Sequence, residues 1–237
     1  MIELKNLSIG YNELLFTRDY LEIERGNLIS LIGPNGSGKT TFLNTLLGIS
    51  EPLKGEIFIS GKPLKEMKRK ERILKFGHVS SGFKGVSNLS VYELIAMGRS
   101  PYTNILNRLS NKDRDKISSV MEQLELSRIQ HKMTTEVSEG ERQIALIAKA
   151  LVQETEMIVL DEPTAHLDYT NRVKVLRILH KIVKNDHKLV IISTHNIELS
   201  LEYSDLILAV DAKNKILREY SPSVEKNLLI SEVYPMD

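Results

Sequence analysis

The chain has 237 residues, of which 41% are hydrophobic and 27% are charged, so it can form a folded protein with a sizeable core. Its net charge of +1 excludes a global field that attracts nucleic acid or acidic membranes, and the lack of cysteine excludes disulfides, thiolate catalysis and cysteine-ligated metals. The N-terminus lacks a basic region followed by an apolar stretch, and no apolar run approaches the roughly 18 residues of a membrane helix. We therefore expect a protein that remains in the cytoplasm and does not itself span a membrane.

The first 32 residues predict short β-strands. Alternating or continuous apolar residues extend from Ile2 to Ile32, and glycine-containing turns interrupt them at residues 10–12 and 25–27. The last of these runs, residues 28–32, leads directly into the glycine-rich octapeptide GPNGSGKT. An apolar helical pattern follows it at residues 41–47, so a strand turns into a helix through a glycine-rich loop.

That octapeptide, residues 33–40, is typical of a phosphate-binding loop. Its glycines let successive backbone N–H groups surround a polyphosphate, and the helix that begins near Lys39 directs its partial positive end at the same anion. Lys39 can reach the β and γ phosphates, Thr40 offers a hydroxyl to Mg²⁺, and Thr41 offers another donor. The predicted nucleotide contacts are Gly33, Asn35, Gly36, Ser37, Gly38, Lys39, Thr40 and Thr41.

Strands and helices alternate in the next part of the chain. Residues 55–59 and 76–79 predict strands, and the charged stretch 65–72 between them predicts a helix whose mixed lysines and glutamates favour solvent over lipid or nucleic acid. From Ser90 the pattern is helical, with Ser90 as N-cap and a glutamate three residues later, and a second helix opens at residues 111–113. We predict a small α-helical subdomain inserted at about residues 85–150.

The second half of the chain predicts a parallel sheet. Ser138 begins a helix with one apolar face, and residues 157–160, 189–192 and 206–210 are apolar runs without polar alternation, which indicates strands covered on both faces. Together with the phosphate loop these elements predict a three-layer α/β core. The tail, residues 222–237, is too short for a second domain, so we predict one domain over residues 1–237.

Three polar side chains follow two of these buried strands. Asp161 and Glu162 lie where a parallel strand ends, which is where open α/β sheets bind ligands, so the first carboxylate can hold Mg²⁺ and the second can polarise an attacking water. His195 follows the next strand and can donate a hydrogen bond to phosphate or water. The alternatives are a solvated Asp-Glu-Pro turn and a histidine that is simply a satisfied polar loop residue.

The order of motifs along the chain resembles an ABC-type ATPase subunit over nearly its whole length. The phosphate loop is followed by VSEGERQ at residues 137–143, LDEPTAHLD at residues 160–168 and STH at residues 193–195. This combination is similar to the family's signature peptide, its Mg²⁺-binding and D-loop segment, and its switch histidine. The resemblance implies a P-loop NTPase (RecA-like) core with an N-terminal antiparallel β subdomain and an inserted α-helical subdomain.

The resemblance also implies a reaction and a set of roles. ATP and Mg²⁺ are the expected cofactors, Glu162 the general base, and His195 the second catalytic group. Tyr11 matches the aromatic residue that stacks on adenine, which tolerates GTP as well; the alternative for Tyr11 is an ordinary surface tyrosine. Two copies are expected to clamp ATP head to tail, with trans contacts to the nucleotide from Ser138, Gly140, Glu141 and Asp168.

The chain departs from the family pattern at two places. Ser81 aligns with a glutamine that usually contacts Mg²⁺, and a serine hydroxyl needs a water to reach the metal. The signature peptide has Glu139 and Glu141 where the family usually has glycine and glutamine. We include Ser81 among the candidate metal ligands with Thr40 and Asp161.

The segment LSVYELIAMGRSPY, residues 89–102, is similar to ATPase subunits of iron-siderophore, haem and cobalamin importers. This resemblance implies a membrane permease as partner, an extracytoplasmic substrate-binding protein upstream, no nucleic-acid partner, and a position on the cytoplasmic face of the inner membrane. The alternatives are another ABC importer or an exporter, or a soluble ABC ATPase that acts outside transport.

Overall fold

A computed structural model describes residues 1–103 and 108–234 of the chain. Within these ranges ten strands and eight α-helices are present. The strands are β1 (Ile2–Gly10), β2 (Leu14–Ile23), β3 (Leu28–Ile32), β4 (Lys54–Ile59), β5 (Lys62–Pro63), β6 (Phe76–Val79), β7 (Met157–Leu160), β8 (Leu189–Ser193), β9 (Leu206–Asp211) and β10 (Ile216–Tyr220). The helices are α1 (Lys39–Leu46), α2 (Arg69–Lys75), α3 (Val91–Ala96), α4 (Asn111–Gln123), α5 (Glu139–Val152), α6 (Tyr169–Asp186), α7 (Ile197–Tyr203) and α8 (Lys226–Val233).

All the described strands form a single sheet in the order β5-β4-β1-β2-β10-β9-β3-β8-β7-β6. The strands from β9 to β6 are parallel, whereas β5, β4, β1 and β2 are antiparallel. The two parts meet where Thr17 of β2 pairs with Ile216 of β10. Because β3 lies between β8 and β9 and β7 follows β8, the carboxyl ends of β3, β7 and β8 share one edge of the sheet. This is the predicted three-layer α/β core with an antiparallel N-terminal part.

Helix α1 lies in a core that the antiparallel and parallel strands share. One buried cluster contains apolar residues of β1, β2, β3 and α1. Phe42 of α1 is 0% exposed, and its ring packs against Phe16 of β2 with centroids 5.8 Å apart. The sheet therefore curls around the helix that follows the phosphate-binding loop, and this burial fixes the position of the loop.

Helices α3, α4 and α5, which we call the helical insertion, lie between β6 and β7 in the chain and pack on one another. The predicted N-cap at Ser90 is confirmed: its hydroxyl accepts from the Glu93 amide at 3.2 Å while Glu93 accepts from the Ser90 amide at 2.8 Å. Ser110 and Asp113 form the same reciprocal cap at the start of α4. The sequence signals for both helix starts were therefore correct.

The charged stretch at residues 65–72 is only partly helical. A 3₁₀ turn covers Leu64–Glu66, Met67 is extended, and α2 begins at Arg69. Met67 is 7% exposed and belongs to the cluster around α1, so burial of its side chain interrupts the helix that the local composition favours. The charges on either side remain at the surface, where Lys62 pairs with Glu71 at 2.9 Å.

Three elements near the C-terminus, namely α7, β10 and α8, were not predicted from the sequence. Helix α8 lies within the tail, residues 222–237, and buries Leu229 and Val233 against Ile32, Ile207 and Ala209. Because Ile32 directly precedes the phosphate-binding loop, the tail supports the base of that loop. Its two buried side chains are too few to give a detectable helical period.

The enclosed position of α1 predicts an unequal effect of two phenylalanine deletions. We expect Phe42→Ala to lower the free energy of unfolding by about 3–5 kcal/mol, because a fully buried aromatic ring leaves a cavity. Phe58→Ala is the matched control, since Phe58 is only half-buried and lies on β4 beside Lys5. Urea unfolding followed by circular dichroism measures both variants, and an equal loss would contradict the shared core around α1.

Candidate functional site

The phosphate-binding loop joins β3 to α1, and its backbone conformation just before α1 requires a glycine. Gly38 is the N-cap of α1 with φ +101°, and a Cβ atom on it would lie 2.9 Å from the Leu15 side chain. No side chain caps α1 in the described structure, so the amides of its first turn face the loop. The helix N-terminus and the loop amides thus form a seat for an anion.

Lys39 is held inside this loop. Its Nζ donates to the carbonyl oxygens of Gly33 at 2.8 Å and Pro34 at 3.0 Å, and the residue is 6% exposed. Burial lowers the pKa of Lys39, while the nearby charges of Glu162 and Asp161 oppose that shift. The ammonium is therefore desolvated and aimed into the loop, where phosphate oxygens can bind it.

Two further loop side chains are suited to phosphate or nucleotide contact. The Ser37 hydroxyl is buried and has no hydrogen-bond partner within the described residues, as expected for a group whose partner is a ligand. Thr41 is 8% exposed in the first turn of α1, whereas Asn35 and Gly36 are exposed at the tip of the loop. The loop thus presents both buried and accessible donors.

The carboxylate of Asp161 connects the ends of β7 and β8 to the first turn of α1. Thr40 Oγ1 donates to Asp161 Oδ2 at 2.9 Å, and Ser193 Oγ donates to Asp161 Oδ1 at 2.5 Å. The Glu162 amide donates to the same Ser193 Oγ at 2.8 Å. The end of β8 therefore fixes both carboxylate-bearing residues that follow β7, and it fixes them beside the first turn of α1.

Glu162 and His195 face each other at the mouth of the site. His195 Nε2 lies 2.5 Å from Glu162 Oε1, and the two side chains are 40% and 33% exposed. Glu162 has φ +49°, a left-handed backbone that a non-glycine residue adopts at a local cost. The strained turn aims the carboxylate at the imidazole, where a proton can be accepted and held.

Sequence analysis missed Ser193 as an organising residue. It is 0% exposed at the end of an apolar strand, and both of its partners come from the β7 end more than thirty positions earlier in the chain. A buried hydroxyl just before a polar loop is the only local signal for it. The Ser193 hydroxyl donates to the Asp161 carboxylate and accepts from the Glu162 amide. Ser193 therefore determines the spacing between these two groups.

Two predicted residues lie near this site but do not enter its hydrogen-bond network. Tyr11 is 62% exposed in the β1–β2 loop, and that hairpin approaches the phosphate-binding loop through Leu15. Ser81 is exposed in the turn after β6, where the Val79 carbonyl accepts from the Asp161 amide at 2.9 Å. The hydrogen bonds of Thr40 and Asp161 in residues 1–103 and 108–234 do not include Ser81.

The signature peptide lies at the exposed start of α5. Ser138 is the N-cap: its hydroxyl accepts from the Glu141 amide at 3.2 Å, and Glu141 Oε2 accepts from the Ser138 hydroxyl at 3.0 Å and its amide at 3.1 Å. The Ser138 amide is the main cause that lowers the pKa of Glu141, with Arg128 adding to it. At the start of α5 the Ser138 hydroxyl is therefore hydrogen-bonded to the Glu141 carboxylate.

Asp168 lies beside this tip and caps α6. Its two carboxylate oxygens accept from the Asn171 backbone amide at 2.8 Å and side-chain amide at 3.0 Å. The Asn171 side chain packs against Gly140, and Arg172 Nε donates to the Leu167 carbonyl at 2.7 Å. Asn171, which sequence analysis did not single out, thus brings the D-loop turn and the start of α5 together.

The described residues set limits on metal binding and membrane insertion. Over residues 1–103 and 108–234, no three histidine or acidic side chains gather as a metal site. Across the same ranges, no helix has both the length and the apolarity to pass through a bilayer. Thr40 and Asp161 supply oxygen atoms beside the phosphate-binding loop, the ligand type that magnesium prefers.

Comparison with known proteins identifies the family to which this chain is similar. The family model described as ABC transporter matches residues 16–165, and one described as AAA domain, putative AbiEii toxin, Type IV TA system matches residues 133–202. An uncharacterised ABC transporter ATP-binding protein of Methanocaldococcus jannaschii is 31% identical over 100% of this chain and 82% of its own. A petrobactin import ATP-binding protein of Bacillus anthracis is 29% identical over 100% of this chain and 87% of its own.

Solved structures agree with the family match. A putative metal-chelate type ABC transporter in an inward-facing conformation is similar with TM-score 0.86 and 25% identity, covering 98% of this chain and 88% of its own. A dimeric post-hydrolysis ATP-binding cassette bound to ADP and Pi is similar with TM-score 0.79 and 26% identity, covering 95% of this chain and 100% of its own. The chain therefore belongs to the ABC transporter family, as one of its ATP-binding subunits with an ATPase domain.

Proposed function

We propose that this chain is the motor subunit of an ABC importer that takes up an iron-siderophore or a related metal chelate, haem or cobalamin. Its relative in Bacillus anthracis is described as a petrobactin import protein, and a structural neighbour is described as a metal-chelate type transporter. The segment at residues 89–102 supports the same branch. The ATPase chemistry rests on one observation, the 2.5 Å contact between His195 and Glu162 beside the phosphate-binding loop.

In this proposal the loop holds ATP through its amides, Lys39 and Ser37, and Tyr11 stacks on the base. Burial of Lys39 at 6% exposure supports its role, because a desolvated ammonium interacts more strongly with phosphate than a hydrated one. Base stacking contributes roughly 1–3 kcal/mol and discriminates weakly between bases. ATP is therefore bound mainly through its phosphates.

The residues at the strand ends fit a magnesium ion. Thr40 Oγ1, in the first turn of α1, and Asp161 Oδ2, after β7, are hard oxygen ligands 2.9 Å apart. Ser81 follows the end of β6 by two residues and would contribute through a water. When bound, the ion supplies charge neutralisation and orientation of the β and γ phosphates. Ser193 holds the Asp161 carboxylate in place for it.

Glu162 acts as general base in this proposal. Its carboxylate accepts the proton of the attacking water, a contribution typically worth about 10²–10⁴ in rate. His195 Nε2 contacts Glu162 Oε1, and the imidazole donates toward the γ-phosphate or the attacking water as negative charge develops on the phosphate. The left-handed backbone of Glu162 and the Ser193 hydroxyl keep the base at a fixed distance from Asp161.

A second copy completes each site. Ser138, Glu141 and Asp168 lie around the start of α5 and the D-loop turn, with Gly140 buried among them, and within residues 1–103 and 108–234 their side-chain hydrogen bonds do not reach the phosphate-binding loop of the same chain. The N-terminus of α5 is a second anion seat, so a head-to-tail dimer places it on the partner's triphosphate. The dimeric cassette that resembles this chain supports such an arrangement.

The proposal assigns the whole chain, residues 1–237, to one ABC domain with the helical subdomain at about residues 85–150. The chain binds peripherally at the cytoplasmic face of the inner membrane, where an integral permease is its partner, and an extracytoplasmic binding protein delivers the substrate to that permease. The alternatives are another ABC importer or an exporter, or a soluble ABC ATPase outside transport. Co-purification separates them, because a permease supports transport and a ribosome, DNA or scaffold protein supports the last alternative.

The Glu162→Gln variant tests the function. We expect it to bind ATP with Mg²⁺ and to accumulate as a dimer, because the amide cannot accept the proton while the other contacts stay. Light scattering after size exclusion measures the dimer, and isolation of the trapped variant from membranes identifies its integral partner. Glu136→Gln, which alters an exposed carboxylate bonded to the Met133 amide, is the control and should turn over ATP normally. A monomer in saturating MgATP would refute the proposal.

Glu141 is expected to restrain dimer formation. Its carboxylate accepts from the Ser138 hydroxyl and adds negative charge near the partner's triphosphate. Glu141→Gln should therefore lower the ATP concentration for half-maximal dimerisation about fivefold, as a single half-buried charge contact allows. The titration uses the Glu162→Gln background. Glu93→Gln is the matched control, because Glu93 caps Ser90 in the same way on α3. Unchanged or weaker dimerisation would show that Glu141 is not a restraint.

Ser81 is expected to limit metal-dependent turnover. Because a glutamine at this position reaches the metal more directly than a serine hydroxyl, Ser81→Gln should raise Mg²⁺-dependent ATP hydrolysis or its coupling to transport. Steady-state hydrolysis at varied Mg²⁺ concentration measures the change. Ser80→Gln, in the neighbouring exposed position, is the control. Identical kinetics in both variants would mean that another residue performs this role.

A further inference from the structure

The importer-like segment at residues 89–102 packs on the C-terminal end of α5. A Cβ atom on Gly98 would lie 2.1 Å from the Lys149 carbonyl oxygen, so only glycine lets the two backbones approach this closely. The Tyr102 hydroxyl donates to the Gln153 carbonyl at 2.8 Å. The segment therefore holds the end of the helix whose opposite end carries Ser138.

Arg99 is the centre of this contact. Its buried guanidinium donates through Nη1 to the Val152 carbonyl and to Glu154 Oε2, both at 2.6 Å, and through Nε to Asp113 Oδ1 at 2.8 Å. It also lies 4.1 Å from the centroid of the Tyr102 ring. A cation at the terminal carbonyls of a helix is electrostatically favourable. The Arg99 side chain thus joins its own segment, residues 89–102, to α4 and to the end of α5.

The partners of Arg99 are themselves fixed. Hydrogen bonds from Ser110, followed by those from Arg99, lower the pKa of Asp113 to about 2, so this carboxylate stays charged. Gln153, the C-cap of α5, donates to the carbonyls of Ile73 at 2.6 Å and Phe76 at 3.1 Å. The end of α5 is consequently attached to α4 through Arg99, and also to α2 and the start of β6.

Helix α5 transmits this attachment over its length. It contains 14 residues, which at 1.5 Å rise per residue is about 21 Å. Ser138 at its N-terminal tip is exposed, and its hydrogen bonds to Glu141 lie within the first turn of the helix. The tip is restrained locally by Asn171 beside Gly140 and by Arg142, which donates to the Thr134 carbonyl at 3.2 Å, and the contacts at the buried C-terminal end add a further restraint on its direction.

We propose that Arg99 is a positioning residue that clamps the C-terminal end of α5 so that Ser138 meets the nucleotide of the second copy. This inference rests on the proposed function, since it concerns the same two-copy site. In the proposed two-copy site Arg99 does not contact the nucleotide. It acts through α5, and the contacts of Gly98 and Arg99 give a physical reason for these two residues of the segment.

The test introduces Arg99→Lys into the Glu162→Gln chain. A lysine keeps the charge but lacks the planar fork that serves three acceptors. We expect the ATP concentration for half-maximal dimerisation to rise about tenfold, within the range that mutations along coupled contacts produce. The affinity of the monomer for a fluorescent ATP analogue, measured at a protein concentration below dimerisation, should stay unchanged. A purely structural role would weaken both, so that the ATP concentration for half-maximal dimerisation would rise and the monomer affinity would fall by a similar factor.

Two further variants keep the test decisive. Tyr102→Phe removes only the hydroxyl that donates to Gln153, on a side chain that is 43% exposed, and should shift dimerisation in the same direction by a smaller factor without unfolding. Lys116→Gln is the matched control, because Lys116 pairs with Glu154 at 3.4 Å on the surface without touching α5 carbonyls. It should not change dimerisation.

The outcomes separate cleanly. Unchanged dimerisation in folded Arg99→Lys overturns the clamp, and so does an equal loss of monomer affinity. If Arg99→Lys does not fold, Tyr102→Phe decides, and unchanged dimerisation in that variant overturns the clamp. Absence of an ATP-dependent dimer in the Glu162→Gln parent, with Arg99 intact, overturns the proposed function and the clamp with it, whereas a normal parent dimer with normal variants overturns the clamp alone.

Discussion

The hydrogen-bond network around Asp161 is the interaction on which the strand-end part of the proposed site depends. One carboxylate accepts from Thr40 and from Ser193, and Ser193 in turn accepts from the amide of Glu162. These groups come from the first turn of α1 and the ends of β7 and β8, so the network exists only when β3, β8 and β7 are adjacent and parallel. Hydrogen bonds to a charged acceptor typically contribute about 1.5–3 kcal/mol each. The sheet order is thereby tied to the chemistry.

The burial of Lys39 imposes a second constraint. An ammonium at 6% exposure is costly unless it is bonded, and here two loop carbonyls and two nearby carboxylates compensate it. The loop must keep its curled shape to offer those carbonyls, which in turn requires Gly38 and the enclosed helix α1. The core around Phe42 therefore supports the site directly, because it fixes the helix from which Lys39 and Thr40 extend.

Much of this arrangement follows from sequence, and the remainder has identifiable physical reasons. Thr40, Asp161, Glu162 and His195 could be placed together because parallel strands bring their carboxyl ends to one edge. Ser193 could not, because a serine in an apolar run gives no sign of a partner that the chain meets only on folding. Met67 breaks the predicted helix because it is drawn into the core, and local propensity is weaker than that burial.

The two parts of the proposed site differ in burial, and this difference bears on how it works. The Asp161 carboxylate is 9% exposed and satisfied by partners on rigid strands, so it stays in place as a nucleotide comes and goes. Ser138 is exposed, and its hydroxyl is bonded to Glu141, a partner that it can exchange for phosphate without leaving a buried group unsatisfied. In the proposed dimer, rearrangement on ATP binding is therefore cheapest at the start of α5. The buried contacts at the other end of that helix keep such rearrangement local, because releasing Arg99 would strand a charge away from water.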